Sequence, residues 1–73
     1  MQLTRVASSM IYAVGYDEQT QTLEVVFYTT GVYRYFGVPK DVYNGLLESS
    51  SKGSYMRSSV IDCYTYEHVR NGR

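Results

Sequence analysis

The chain has no tryptophan and only one cysteine, one proline and one histidine, and its seven basic and seven acidic side chains cancel. Each shortage excludes something. With Cys63 alone no intramolecular disulfide can form, and one cysteine with His68 falls far short of a structural zinc set. A neutral balance argues against long nucleic acid, which is held by many phosphate contacts on a basic footprint, so long duplex DNA is not an expected partner. No apolar run approaches the roughly 20 residues needed to cross a bilayer, and Met1-Gln2-Leu3-Thr4-Arg5 has no apolar signal core behind it. The expectation is a protein without a membrane partner, in the cytoplasm, where a lone thiol stays reduced.

At 73 residues the chain reads as a single domain, 1–73, of a size that buries only about 60% of the surface its unfolded form exposes. A core this small rarely supplies more than about 3 to 5 kcal/mol, and with disulfide and metal set aside, oligomerisation is the remaining staple. Tyrosine is what the chain has in excess, at nine residues. Its ring is large and apolar with a polar tip, so it serves small cores and wet binding faces equally.

Met10, Tyr12, Val14 and Tyr16 alternate along one predicted strand, and Leu23, Val25 and Phe27 along the next. Thr29-Thr30-Gly31 predicts a three-residue hairpin loop with Gly31 left-handed, which sets Phe27 opposite Tyr33 and Val25 opposite Tyr35. One face then carries Tyr12, Val14, Leu23, Val25, Phe27, Tyr33 and Tyr35; the other carries Ile11, Glu24, Val26, Tyr28, Val32, Arg34 and Phe36. Pro39 suits the first position of a helix with Asp41 in its first turn and Val42, Leu46 and Leu47 as its stripe. Gly45 inside that helix implies either close packing or a short, weak helix. Ser54 is expected to cap a second helix running to about Tyr64, and the tail beyond Tyr66, with Arg70, Asn71, Gly72 and Arg73, is expected to fray. The predicted fold is α+β: a three-stranded antiparallel β-meander followed by two short α-helices, packed on the Leu23, Val25, Phe27 face.

This order of elements resembles the KTSC domain, a short module found at the C-terminus of some lysyl-tRNA synthetases and as stand-alone bacterial and phage proteins. The resemblance rests on Gly15-Tyr16-Asp17, Leu23-Glu24-Val25-Val26-Phe27, Gly31-Val32-Tyr33-Arg34-Tyr35-Phe36-Gly37-Val38-Pro39, Ser51-Lys52-Gly53-Ser54-Tyr55 and Tyr64-Thr65-Tyr66. It implies a domain of unknown function, with RNA binding suggested by the synthetase context. The chain departs from the family's basic second helix, with Ser58, Ser59, Ile61 and Cys63 there beside Arg57, and carries more apolar residues at Val26 and Tyr28.

Several groupings bear on chemistry. Tyr33 and Tyr35 can stack on bases or serve as core; sharing a face with Leu23, Val25 and Phe27 favours the core. Tyr28, Arg34 and Phe36 on the other face could grip an anionic aromatic ligand, or Arg34 could pair with Glu24 and cover apolar surface with its stem. The run 49–54 leads into a helix N-terminus, where Lys52, Gly53 and, one turn on, Arg57 could hold phosphate; the alternative is a plain capping loop, since no P-loop spacing is present. Cys63 and His68 have no reason to meet, and no nucleophile and base, paired carboxylates or metal set is found, so neither an enzyme nor a cofactor is expected.

The expected ligand-binding residues are therefore Tyr28, Arg34, Phe36, Lys52, Gly53 and Arg57. The expected function is a non-catalytic binding module for a nucleotide-type ligand or short single-stranded RNA. The alternative is a protein that contacts another protein or a second copy of itself. The two combine in an oligomer that sequesters a small nucleotide signal, a role that would suit a tiny phage-encoded protein.

Overall fold

The computed structural model describes residues 1–71. It contains β1 (Thr4–Arg5), β2 (Ile11–Asp17), β3 (Thr22–Phe27), β4 (Gly31–Tyr35), α1 (Lys40–Glu48), α2 (Lys52–Ser59) and β5 (Tyr66–Arg70). All the strands are antiparallel, in the order β1-β2-β3-β4-β5. The sheet thus has five strands where three were expected. β1 is too short to leave a periodic signal. β5 forms where fraying was expected, because Tyr35 pairs with Tyr66 and Tyr33 with His68, so ring contacts between strands hold a polar segment down. Gly72 and Arg73, also assigned to the frayed tail, lie outside the described residues.

The β2–β3 turn forms because Asp17 Oδ1 accepts hydrogen bonds from the N–H groups of Gln19 and Thr20 at 3.0 and 3.4 Å. Gly31 has φ 96°, as its place in the next loop predicts, yet the register differs. Phe27 pairs with Gly31, Val25 with Tyr33 and Leu23 with Tyr35, two residues tighter than expected. A shift of two preserves which residues share a face, so apolar alternation cannot distinguish the two registers.

A bulge in β2 is a second correction. Ile11 pairs with Phe27 but Ala13 with Val26, which leaves Tyr12 as the extra residue. Ile11 therefore joins the main core and Tyr12 packs on the opposite face, the reverse of strict alternation.

Both helices lie on the expected face. Leu46, Met56, Val60 and Val38 pack with Ile11, Val14, Leu23, Val25, Phe27 and Tyr35 in one cluster of buried residues. Pro39 is the N-cap of α1 rather than its first helical residue, with extended ψ 152°. α2 begins earlier than expected, with Ser51 as its N-cap, and ends at Ser59 rather than near Tyr64. The N–H groups of Val60 and Ile61 both donate to Met56 O, closing the helix, and Asp62 follows at φ 68°. Gly45 marks close packing: a Cβ there would meet the ring of Tyr55, whose hydroxyl donates to Val42 O at 2.8 Å.

Candidate functional site

The loop before α2 and the segment before β2 enclose a polar hollow of about 430 Å³. Ser50, Ser51, Lys52, Gly53 and Arg57 line one side and Ala7, Ser8 and Ser9 the other, with Met10 at one end. Ser8 Oγ accepts from the N–H groups of Met10 and Ile11, both at 3.1 Å, which fixes the entry to β2. Lys52 Nζ donates to Ser49 O at 2.8 Å, and Arg57 Nη1 approaches Met10 Sδ at 3.6 Å. Neither cation has a carboxylate partner among the described residues. A Cβ on Gly53 would lie 3.0 Å from Met10 Sδ, so a larger residue there would require the Met10 side chain to give way. Three expected site residues, Lys52, Gly53 and Arg57, are thus brought together.

The other three are elsewhere. Arg34 lies on the sheet face without helices, where its Nε and Glu24 Oε1 are 2.9 Å apart; that bond, reinforced by the charges of Glu24 and Glu67, raises the pKa of the guanidinium. Tyr28 is 39% exposed, meets Tyr12 edge to face at 5.6 Å and accepts from Arg5 Nη2 at 3.5 Å. Phe36 follows β4, also 39% exposed, with its N–H bonded to Thr65 O. None of these three lines the polar hollow.

A second hollow, about 310 Å³, opens on the helix side of the sheet beyond the end of α2. Its walls are Phe27, Tyr33, Tyr35 and Tyr66 with Met10, Ile61, Asp62, Thr29 and Thr30. The rings form a shelf: Tyr33 is nearly parallel to Tyr35 at 6.4 Å and to His68 at 4.3 Å, and Tyr66 leans on both tyrosines at 5.8 and 6.0 Å. His68 is held by a 2.8 Å hydrogen bond between its Nε2 and Thr30 O. Tyr35 is only 4% exposed, in agreement with its reading as core, whereas Tyr66 is 58% exposed and Tyr33 half-buried. Burial, with the nearby Tyr33, Tyr66 and Asp62, pushes the Tyr35 phenol up to about 12, so it stays protonated near neutral pH.

Met10 lines both hollows, which adjoin at this residue. Tyr66, His68 and Asp62 were missed as site residues because they belong to β5 and to the end of α2. The signal for the first two was the alternation of Tyr66 and His68 against Glu67, the pattern of a strand with one ringed face. Cys63 is exposed, its Sγ 3.9 Å from Ser58 O, and among the described residues no cluster of His, Cys, Asp and Glu could hold a metal.

Comparison with known proteins sets this geometry in a lineage. An uncharacterized protein of Stutzerimonas stutzeri is 40% identical over 55 residues, which is 75% of this chain and 78% of that one. Lysine–tRNA ligases of Nostoc punctiforme and of another Nostoc species are 31% and 34% identical over 67 residues, or 92% of this chain, but the match spans only 12% of each ligase. The crystal structure of a KTSC domain protein from Yersinia pestis superposes with a TM-score of 0.93 at 29% identity, covering 94% of this chain and 97% of that one. The five-stranded sheet with its two helices is therefore shared with a solved relative, and with the KTSC domain model matching residues 7–66, the chain belongs to the KTSC domain family.

Proposed function

We propose that this domain is a non-catalytic binding module for a nucleotide-type ligand or short single-stranded RNA. The observation that carries the reading is that the two hollows share Met10 in their walls: aromatic rings on one side, two cations without carboxylate partners among the described residues on the other. A base stacked on Tyr66, the most exposed of these rings, gains about 1 to 3 kcal/mol. The phosphate lies between Lys52, in the first turn of α2 where free N–H groups and the helix dipole add to the attraction, and the side chain of Arg57 from its last turn. The KTSC match to lysine–tRNA ligases fits a module that works beside RNA.

The test is calorimetric titration with nucleoside monophosphates and short oligoribonucleotides. Lys52→Ala with Arg57→Ala should lower affinity by at least ~10-fold, since two charge-assisted contacts are lost. Arg34→Ala, on the opposite face, is the control and should bind as the parent does. Unchanged affinity of the double variant for every phosphate-bearing ligand would remove the phosphate assignment.

A second reading, assembly with another copy of the chain, is favoured by β5. It is the last strand in the sheet order and largely exposed, and so offers one open edge among the described residues. Light scattering across a concentration series tests it, and a monomer throughout would exclude it.

A further inference from the structure

The two hollows that share Met10 differ in sign. Among the described residues, the polar one is lined by Lys52 and Arg57 and no carboxylate, whereas the aromatic one has Asp62 and neither lysine nor arginine. Asp62 is held in place by the turn that ends α2: Ile61 N–H donates to Met56 O at 2.7 Å and Cys63 N–H to Val60 O at 3.0 Å. Its carboxylate has neither a hydrogen bond nor an ion pair among the described residues, so both oxygens are available to a ligand on the shelf. A phosphate would be repelled here and drawn to the other end.

The shape of the aromatic end also selects. Rings whose centroids lie 5.5 to 6.4 Å apart, as Phe27, Tyr33, Tyr35 and Tyr66 do, touch one another and leave no gap for an ammonium between facing walls. They leave ring surface for a flat ring, most of it on Tyr66, rather than a cage for a cation. The complementary ligand is then a planar heterocycle with hydrogen-bond donors on its edge and a phosphate beyond it. Guanine alone among the four RNA bases presents two adjacent donors, N1–H and the N2 amine, to the two oxygens of one carboxylate. Adenine and cytosine set an acceptor beside their amine, and uracil flanks its single N–H with two carbonyls, so each would place a lone pair against Asp62.

We propose that the aromatic groove reads guanine, through Asp62 on its N1–H and N2 amine, so that the ligand is a guanine nucleotide or a guanine in single-stranded RNA. This assignment rests on the nucleotide reading above and adds the base to it. Asp62 is a specificity residue; the exposed ring of Tyr66 supplies stacking that any base can use.

The experiment is calorimetric titration of the 73-residue chain with GMP, IMP, AMP, CMP and UMP, repeated on Asp62→Asn. Asparagine tolerates the left-handed backbone of this position, so the variant keeps the turn, and circular dichroism checks its fold. GMP should bind tightest, and IMP, which lacks only the N2 amine, about tenfold more weakly, in proportion to one lost bond to a charged group. Asp62→Asn should erase the preference for GMP while leaving UMP affinity within about twofold, because stacking is untouched. Equal affinity for all five nucleotides, or a GMP preference that survives Asp62→Asn, would overturn the guanine assignment and leave nucleotide binding standing. No binding by any of the five nucleotides would overturn both.

Discussion

The two faces of the sheet solve the same burial problem with different materials. On one, Val14, Leu23 and Val25 are sealed by side chains from separate elements, Leu46 of α1, Met56 of α2 and Val60 beyond it. On the other no helix packs, yet Ala13, Val26 and Val32 are as well buried, Val32 fully so. Their cover comes from the sheet's own neighbours, among them Tyr12 and Val69. Arg5 adds a second layer, its guanidinium 3.8 Å from the Tyr12 ring centroid and its Nε donating to Tyr12 O at 3.0 Å. Large amphipathic side chains thus stand in for a missing layer, with apolar bodies on the valines and polar ends in water. The apolar row expected at Val26, Tyr28, Val32 and Phe36 is in consequence no continuous exposed patch: its valines are covered, and Tyr28 and Phe36 alone show surface.

The sharpest way to break this comparison is to make a hole in each face. Leu46→Ala removes a fully buried side chain clamped between α1 and the sheet, where the backbone of several elements would have to move to fill the space. It should cost about 3 kcal/mol, within the range for such truncations. For a domain with a core this small that approaches the whole stability, so urea denaturation should find it largely unfolded. Val26→Ala, under side chains rather than a helix, should cost nearer 1 kcal/mol, because Tyr12 and its neighbours can settle into a smaller void. Equal losses would mean that the open face is as rigid as the covered one.

Titration separates the faces again. Burial raises the phenol of Tyr35 to about 12 and pushes those of Tyr16, Tyr43 and Tyr55 upward as well, all packed on the helix side. A phenol whose pKa is raised by folding contributes stability that is complete below its unfolded value near 10 and is lost as pH rises through the folded value. Melting temperature should therefore fall between about pH 10 and pH 12. Tyr35→Phe should start lower in stability or near it but fall less steeply across that window. An identical slope would show that Tyr35 does not carry the alkaline loss.

How much of this was legible follows from what each residue's neighbours in sequence disclose. The helix-covered face could be assigned from Leu23, Val25 and Phe27, because an even register shift leaves parity intact. The bulge at Tyr12 could not, since one unpaired residue inverts parity only up to the point of insertion and has no composition of its own. The phosphate end of the candidate site was local: Lys52 and Gly53 open α2 and Arg57 lies about one helical turn on. The aromatic end was not, because Phe27, Tyr33, Asp62 and Tyr66 come from β3, β4, the turn after α2 and β5, and only the fold joins them. Gly45 left two meanings open in sequence, and the Tyr55 ring decides for close packing.

The smallest expected effect lies at the most visible interaction of the open face. Glu24 and Arg34 are register partners on β3 and β4, and Arg34 also pairs in register with Glu67 on β5. The Arg34 side chain is 44% exposed, so solvent and salt screen the pair, and a double-mutant cycle with Glu24→Gln and Arg34→Gln should give about 0.5 kcal/mol of coupling. That coupling should shrink further at about 1 M salt, where charges separated by more than about 3 Å no longer interact strongly through water. A coupling several times larger and insensitive to salt would mean that water does not reach Arg34 in solution. Because no element among the described residues covers that position, cover from another molecule is the outcome to look for, and the cycle repeated across protein concentrations would show whether it is a second copy.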